Sequence, residues 1–399
     1  MSGGASGRLL AIRHARILPS SVGEPIDDGT ILVRDGTIEA IGSEVRVPDG
    51  AEVIAAEGLT AVAGFWNCHV HFTEPGWRAE MRQAPAALEH HLQEMLTRRG
   101  FTTVVDTGSD PRLTVRLRDR IESGEVVGPR IYTAGTGLYP PRGLPYYLAG
   151  SIPFWWRPFI PQPASPRAAE KAVERGLARG TDLVKLFTGS YVARGQVKAM
   201  PEAVARAAVA RGHSRGVLVF SHPSNVEGTE VAIRAGVDVL AHPPDTTEGV
   251  DASFLRRMVA QGMAMTPTLK MFESTVSTSE SYLGPIRTVV REFRALGGEL
   301  LFGTDVGYMG DYSTAEEFRA LVRTGVDGRG ILRMLTEAPA ARFRVGDVTG
   351  SLARGSRADI VLLEGDPLED LAAFARVRAT VRAGRLIYPR PLERRGPGP

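Results

Sequence analysis

Gly216-Val217-Leu218-Val219-Phe220-Ser221-His222 and Gly236-Val237-Asp238-Val239-Leu240-Ala241-His242 state one pattern twice: a glycine, a short apolar run, then a histidine. Runs this short, rich in β-branched residues and opened by glycine, read as strands buried on both faces, the kind that parallel sheets contain. Working outward, similar runs recur at 102–105, 131–134, 183–187, 263–265 and 300–302, with one more directly before His69. Segments of helical spacing at 85–98, 112–122, 167–179, 201–211, 251–261 and 285–296 lie between them. Strands alternating with helices mark repeated βα units. Eight such strands within residues 61–347 predict a (β/α)8 TIM-like barrel, a fold that typically takes about 250 residues. An open doubly wound sheet is the alternative.

The two ends have a different texture. Short strands are predicted at 9–11, 15–18, 31–34 and 37–41, punctuated by Asp27-Asp28-Gly29 and Asp35-Gly36. Strands at 359–363, 377–381 and 385–388 repeat this after the barrel, with turns at Gly365-Asp366-Pro367 and Ala383-Gly384. The expectation is one small β domain composed of 1–60 plus 348–399, and a disordered tail over 394–399. One stretch, 138–166, breaks the rhythm with several prolines, Trp155, Trp156 and other aromatics. It reads equally as an active-site lid or as a surface excursion.

Composition narrows the class. The chain has 399 residues, 43% hydrophobic and 23% charged, and a formal net charge of only +3, ordinary values for a globular enzyme. Its basic residues are scattered, without the block that marks a nucleic-acid arm. No run of about 18 apolar residues predicts a membrane span. One cysteine, Cys68, excludes an intrachain disulfide framework and suits a reducing compartment, so a cytoplasmic location is expected. The expected partner is a small-molecule substrate, with neither nucleic acid nor membrane; a homo-oligomer is left open.

Six side chains carry the candidate chemistry. His69 and His71 stand two apart on a strand and so project to one face, where two imidazoles can chelate an ion. Lys185 lies in Leu183-Val184-Lys185-Leu186-Phe187, and an ammonium on a buried strand is costly unless neutralised or paired. His222, His242 and Asp305 each follow an apolar run, at the carboxyl end of a predicted strand, where barrels keep their active sites. One histidine there is ordinary; candidates at the ends of five separate strands are not. His90 and His91 fall within a helix, His213 near a helix C-terminus and His14 in the terminal β region, so these four read as structural, as does Cys68.

On these residues the chain resembles the amidohydrolase superfamily, in particular its imidazolonepropionase-like and prolidase-like members. The resemblance rests on Ile31-Leu32-Val33-Arg34-Asp35-Gly36, Gly64 to His71, Gly180 to Lys185, Ala235-Gly236-Val237-Asp238 before His242, Gly303-Thr304-Asp305 and Ala358 to Leu363. It implies a barrel with a composite β-sandwich and two divalent ions bridged by carboxylated Lys185. His69, His71 and Asp305 would serve one ion, and His222 and His242 the other. Imidazole and carboxylate ligands suit Zn2+, with Mn2+, Co2+ or Fe2+ as alternatives. The expected reaction is hydrolysis of an amide, peptide-like or cyclic amide C–N bond by a metal-bridging hydroxide, with Asp305 moving the proton and N-acyl amino acids or dipeptides as substrates. Asn67 departs from the family's usual Asp, and Pro243-Pro244 from its usual glycine. Tyr191 and Arg194, after the Lys185 strand, are candidates for a substrate carboxylate. The competing readings are a one-metal heterocycle deaminase, a lactone or ester hydrolase at the same centre and, least favoured, a non-catalytic scaffold.

Overall fold

The computed structural model describes residues 8–389 apart from 83, 151, 153 and 156, so Trp156 and the 394–399 tail lie outside the described residues. Eight parallel strands form the centre: β1 (Phe65–Val70), β2 (Phe101–Asp106), β3 (Arg130–Thr133), β4 (Val184–Phe187), β5 (Val219–His222), β6 (Val239–Ala241), β7 (Ala264–Thr266) and β8 (Glu299–Leu300). They are organised as two arcs, β1-β2-β3 and β4-β5-β6-β7-β8. Isolated bridges meet at both seams. Leu138 pairs with Leu186 on one side, and Val70 with Val306 on the other, where Cys68 N also donates to Phe302 O at 2.7 Å.

The fold is therefore α/β and TIM-barrel-like, but the expected continuous eight-stranded ladder is interrupted. Past β3 the chain runs through Gly135, Gly137, Pro140 and Pro141. Proline has no N–H to give a ladder and glycine weakens a strand, so β3 stops short and only Leu138 reaches β4. A buried cluster including Trp66, Cys68, Val105, Phe220, Ala264 and Leu301 draws members from or beside every strand. Residues meeting in this way are what the inside of a barrel-like wall supplies.

Helices cover the outside: Pro85–Met95, Pro111–Glu122, Pro166–Leu177, Glu202–Ser214, Ala252–Ala260 and Glu280–Ala295 fall where the periodicity predicts. A further helix, Val226–Ala235, is absent from the sequence reading. Its Gly228, Thr229, Val231 and Ile233 are poor helix formers. Gly228 is nevertheless required, since a Cβ there would lie 2.0 Å from Pro223 O. The chain ends combine in one eight-stranded sheet, in which Leu59–Ala63 pairs with both Leu9–Ile17 and Ile360–Glu364. Among the described residues these strands pair as one sheet, and the two separate sheets of the sandwich that the resemblance implies are not distinguished. The first two predicted strands merge into Leu9–Ile17 across register shifts and a positive φ at His14.

The segment after β1 is pinned by a histidine. Trp77, in the helix Pro75–Glu80, stacks on His91 at 3.8 Å. His91 Nδ1 lies 2.8 Å from Glu80, its Nε2 2.8 Å from Glu74, and Tyr312 OH donates to Glu74. Burial works against the His91 cation, but the hydrogen bonds and charges of the two glutamates outweigh it and raise its pKa above 6.5. A raised histidine contributes stability that is complete below its unfolded value and lost as pH rises through the folded one. Melting curves of wild type and His91→Gln should therefore differ by about 2–4 °C at pH 6, for about 1–2 kcal/mol, and converge toward pH 9. A gap independent of pH would assign the effect to packing on Trp77 instead.

Candidate metal centre

The six candidate residues converge. His69 belongs to β1 and His71 follows it; Lys185 is within β4, His222 ends β5, His242 follows β6 and Asp305 lies beyond β8. Ring centroids are 5.2 Å apart for His69–His71, 4.5 Å for His69–His242 and 5.0 Å for His222–His242. Asp305 Oδ1 is 2.9 Å from His71 Nε2 and 3.4 Å from His69 Nε2, while its Oδ2 is 3.6 Å from His242 Nε2. His69, Lys185, His242 and Asp305 are buried; His71 and His222 keep some exposure toward the mouth.

Backbone strain is concentrated here. Ser224, His242, Thr268 and Asp305 all have positive φ (57°, 83°, 45° and 59°), each just past the carboxyl end of β5, β6, β7 or β8. A non-glycine residue in that region costs about 1–3 kcal/mol and persists only where its surroundings enforce it. At Asp305 the enforcement is visible. Asp305 N donates to His69 O at 2.9 Å, and Gly307 (φ 95°) packs so closely that a Cβ would sit 1.8 Å from His71 O. Buried Asn67 ties the two loops by donating to Thr304 Oγ1 at 2.7 Å and accepting from His69 N and Thr304 N. Its departure from the family's aspartate thus preserves a donor, which an ionised aspartate could not supply.

Partners on the far side of the rings aim the inward nitrogens. His71 Nδ1 lies 2.8 Å from Gly108 O, so it carries the proton and Nε2 faces Asp305. His242 Nδ1 meets Thr268 Oγ1, whose own proton goes to Pro267 O at 2.8 Å, which again leaves Nε2 with its lone pair. Thr268→Val keeps the side-chain shape and removes that acceptor. Metal affinity should fall about 10–100-fold, read by titrating activity and stability against added Zn2+. Unchanged affinity would remove Thr268 from the argument.

Electrostatics sorts the set. Burial, reinforced by Lys185, lowers the pKa of His69 and His242 and takes His222 to about 3, so all three are neutral at pH 7. His71 is the exception: burial opposes its cation, yet Asp305 and Asp106 raise it. Burial brings Lys185 down to about 7, against the pull of Asp305 and Asp106. Among the described residues no side chain hydrogen-bonds its Nζ.

Asp106, absent from the sequence reading, is wholly buried at the end of β2 and accepts from Ser109 Oγ, Thr133 Oγ1 and Gly108 N. The signal was present: an acid closing Thr103-Val104-Val105, as Asp305 follows its own apolar run. Tyr191 and Arg194 separate. They lie on or beside the hairpin Gly189–Ala193 with Gln196–Ala199; Arg194 is exposed at its turn, and Tyr191 OH donates to Asp245, 2.6 and 2.7 Å from the two carboxylate oxygens. The 138–166 segment divides likewise. Tyr139 packs on Phe187 at 4.5 Å and Tyr147 on Tyr308 at 5.9 Å, whereas Phe154 and Trp155 face outward, 74% and 64% exposed.

This donor set fits a divalent ion. One ligand atom from each of His69, His242 and Asp305 lies within 4.8 Å of the others. His69 Nδ1 and Asp305 Oδ1 are buried without a well-directed hydrogen bond. Orphaned polar atoms are expensive in a protein interior, and neutral imidazoles beside a carboxylate are what such an ion requires.

Comparison with known proteins agrees. The amidohydrolase family model matches residues 60–387. Ochratoxinase of Aspergillus niger is 23% identical over 98% of this chain and 87% of its own. Among solved structures, a Xaa-Pro dipeptidase with bound methionine superposes with TM-score 0.82 at 23% identity, over 95% of this chain and 99% of that one. A putative prolidase from Bifidobacterium longum gives 0.77 at 25%, over 96% and 95%. The family match spans every strand of the centre and every residue of the histidine, lysine and aspartate set, and the chain belongs to the amidohydrolase family.

Proposed function

We propose that this hydrolase of carbon–nitrogen bonds works with two divalent ions held by His69, His71, Lys185, His222, His242 and Asp305, and acts on dipeptides or N-acyl amino acids. The catalytic region is 61–347, with 1–60 and 348–399 as a companion β domain. The observation that carries the reading is Lys185, buried within electrostatic reach of His69, His222, His242 and Asp305, with its pKa lowered to about 7. A neutral amine at that depth can add to carbon dioxide, forming the N–C bond of a carbamate and releasing one proton. The cation then becomes an anion, which two closely spaced positive ions require between them. A one-metal deaminase would have no use for this lysine.

When bound, the ions supply Lewis acidity toward water and toward a substrate carbonyl, and Zn2+ suits the mixed ligands. The chain does the rest. His69 and His71 on one side and His222 and His242 on the other present ring nitrogens, those of His69, His222 and His242 neutral and that of His71 freed when its proton is displaced. Asp305, held by its strained backbone, takes a proton from attacking water and returns it to the leaving nitrogen. The names of the similar dipeptidase and prolidase support the substrate class.

The test is elemental analysis of protein purified without chelator, followed by screening dipeptides, N-acyl amino acids, lactams and lactones. About two ions per chain and metal-dependent amide hydrolysis are expected. One ion per chain with ammonia release from aminated heterocycles would replace this reading by the deaminase.

A further inference from the structure

Asp245 follows His242 by three residues, in the loop past the carboxyl end of β6. Its backbone N donates to Ser224 O at 3.0 Å, which locks the loop after β6 against the loop after β5. Tyr191 reaches it from the hairpin after β4. A phenol has one proton, whereas a carboxylate has about four acceptor positions, so most of the acid's capacity is unused by Tyr191. Among the described residues no lysine or arginine pairs with it. Burial, ahead of the Tyr191 and backbone hydrogen bonds that oppose it, holds its pKa above the ordinary carboxylate value.

Further tyrosines lie within electrostatic reach of this acid. Tyr282 lies within reach of its charge, and the Tyr282 hydroxyl is buried without a hydrogen-bond partner. Tyr282 packs on Phe272 at 6.4 Å, and Phe272 on His242 at 5.9 Å, so the group lies one ring away from the candidate metal ligands. Tyr147 feels both Asp245 and Asp305, and Tyr146 stands against it at 5.6 Å. A carboxylate without a counter-ion is costly in such surroundings, and ring faces attract cations. A ligand that brings a positive charge removes that cost and meets the ring faces.

We propose that Asp245, held by Tyr191 and neighboured by the unpartnered Tyr282 hydroxyl, is the substrate subsite for a protonated amine or guanidinium carried by the amide being cleaved. The proposal rests on the amide-hydrolase reading and narrows its substrate class. The cation is either a free α-ammonium or a lysine or arginine side chain. Tyr191 is then occupied in orienting the acid, and a substrate carboxylate is not its target.

Two arms separate the sources. Dipeptides with a free or acetylated amino terminus test the α-ammonium; lysine against norleucine, and arginine against citrulline, test the side chain. In one arm the wild-type enzyme should prefer the cation by about tenfold or more in kcat/KM, and Asp245→Asn should reduce that ratio to near one. Tyr282→Phe, which removes a hydroxyl that bonds to nothing, should fold normally and reduce the ratio about two- to fivefold. No preference in the wild type, or equal loss on charged and neutral partners in both variants, overturns the subsite while leaving the hydrolase reading intact. Calorimetric titration of the zinc-loaded protein with argininamide and citrullinamide reads the subsite even if no amide is cleaved. Tenfold tighter binding of argininamide, lost in Asp245→Asn, supports the side-chain arm; equal affinities that both fall in Asp245→Asn support the α-ammonium arm, and equal affinities unchanged in Asp245→Asn refute the subsite.

Discussion

Asp305→Asn should lower kcat/KM by about three orders of magnitude while the protein remains folded. The asparagine matches the carboxylate in size, so the positive-φ turn between Gly303 and Gly307 is retained, and Asn is among the residues that tolerate it best. What disappears is the base. General acid–base transfer contributes about 10²–10⁴-fold, or roughly 3–5 kcal/mol of barrier. The neutral amide also removes the charge that raises the pKa of His71. The measurement is kcat/KM on the best amide substrate, with circular dichroism and metal content alongside. A loss below tenfold at full metal occupancy would show that another group carries the proton.

Lys185→Met should cut bound metal from two ions to one or fewer and abolish measurable turnover, yet make the metal-free protein more stable. The reason is the sign of the lysine's shift. Its pKa falls from 10.5 unfolded to about 7 folded, so burying it has no protonation cost above pH 10.5. The cost grows as pH drops from 10.5 to 7 and is complete below 7. Methionine fills similar space without a charge to desolvate. Metal-free Lys185→Met should therefore melt above metal-free wild type at pH 6 and approach it near pH 10. Zinc should reverse the order, because ligands that bind only the folded state stabilise it. A variant with normal metal content and activity would eliminate the bridging role, and loss of the fold would appear as a lower melting point at every pH.

Much of the centre was legible before any coordinates. The strands ending at Asp106, Phe187, His222 and Ala241 are short, apolar and bounded by turn residues, and their pattern is local. The ligand candidates were found because strand ends in such folds face one mouth, so position along the chain stands in for position in space. Asp106 escaped because its nearby partners, Gly108 and Ser109, make an ordinary turn pattern, and Thr133 arrives from another strand. Val226–Ala235 escaped because its propensity is weak and its stability comes from packing on the neighbouring elements. The sandwich expectation came from the family resemblance; the turns themselves report strand number but not which strands share an edge.

The sequence by itself determined the alternation of strand and helix, the presence of a β region at both ends, and the six side chains whose chemistry suits divalent ions. These are properties of residue type and spacing within about a dozen residues, the range over which strand and helix periodicity operate. Tertiary structure alone decided the two seams between arcs, the Asn67 bond to Thr304 237 residues away, the strained backbone at four strand ends, and the pairing of Tyr191 with Asp245. Each depends on which distant segments come into contact when the apolar faces are buried, and no local pattern encodes that.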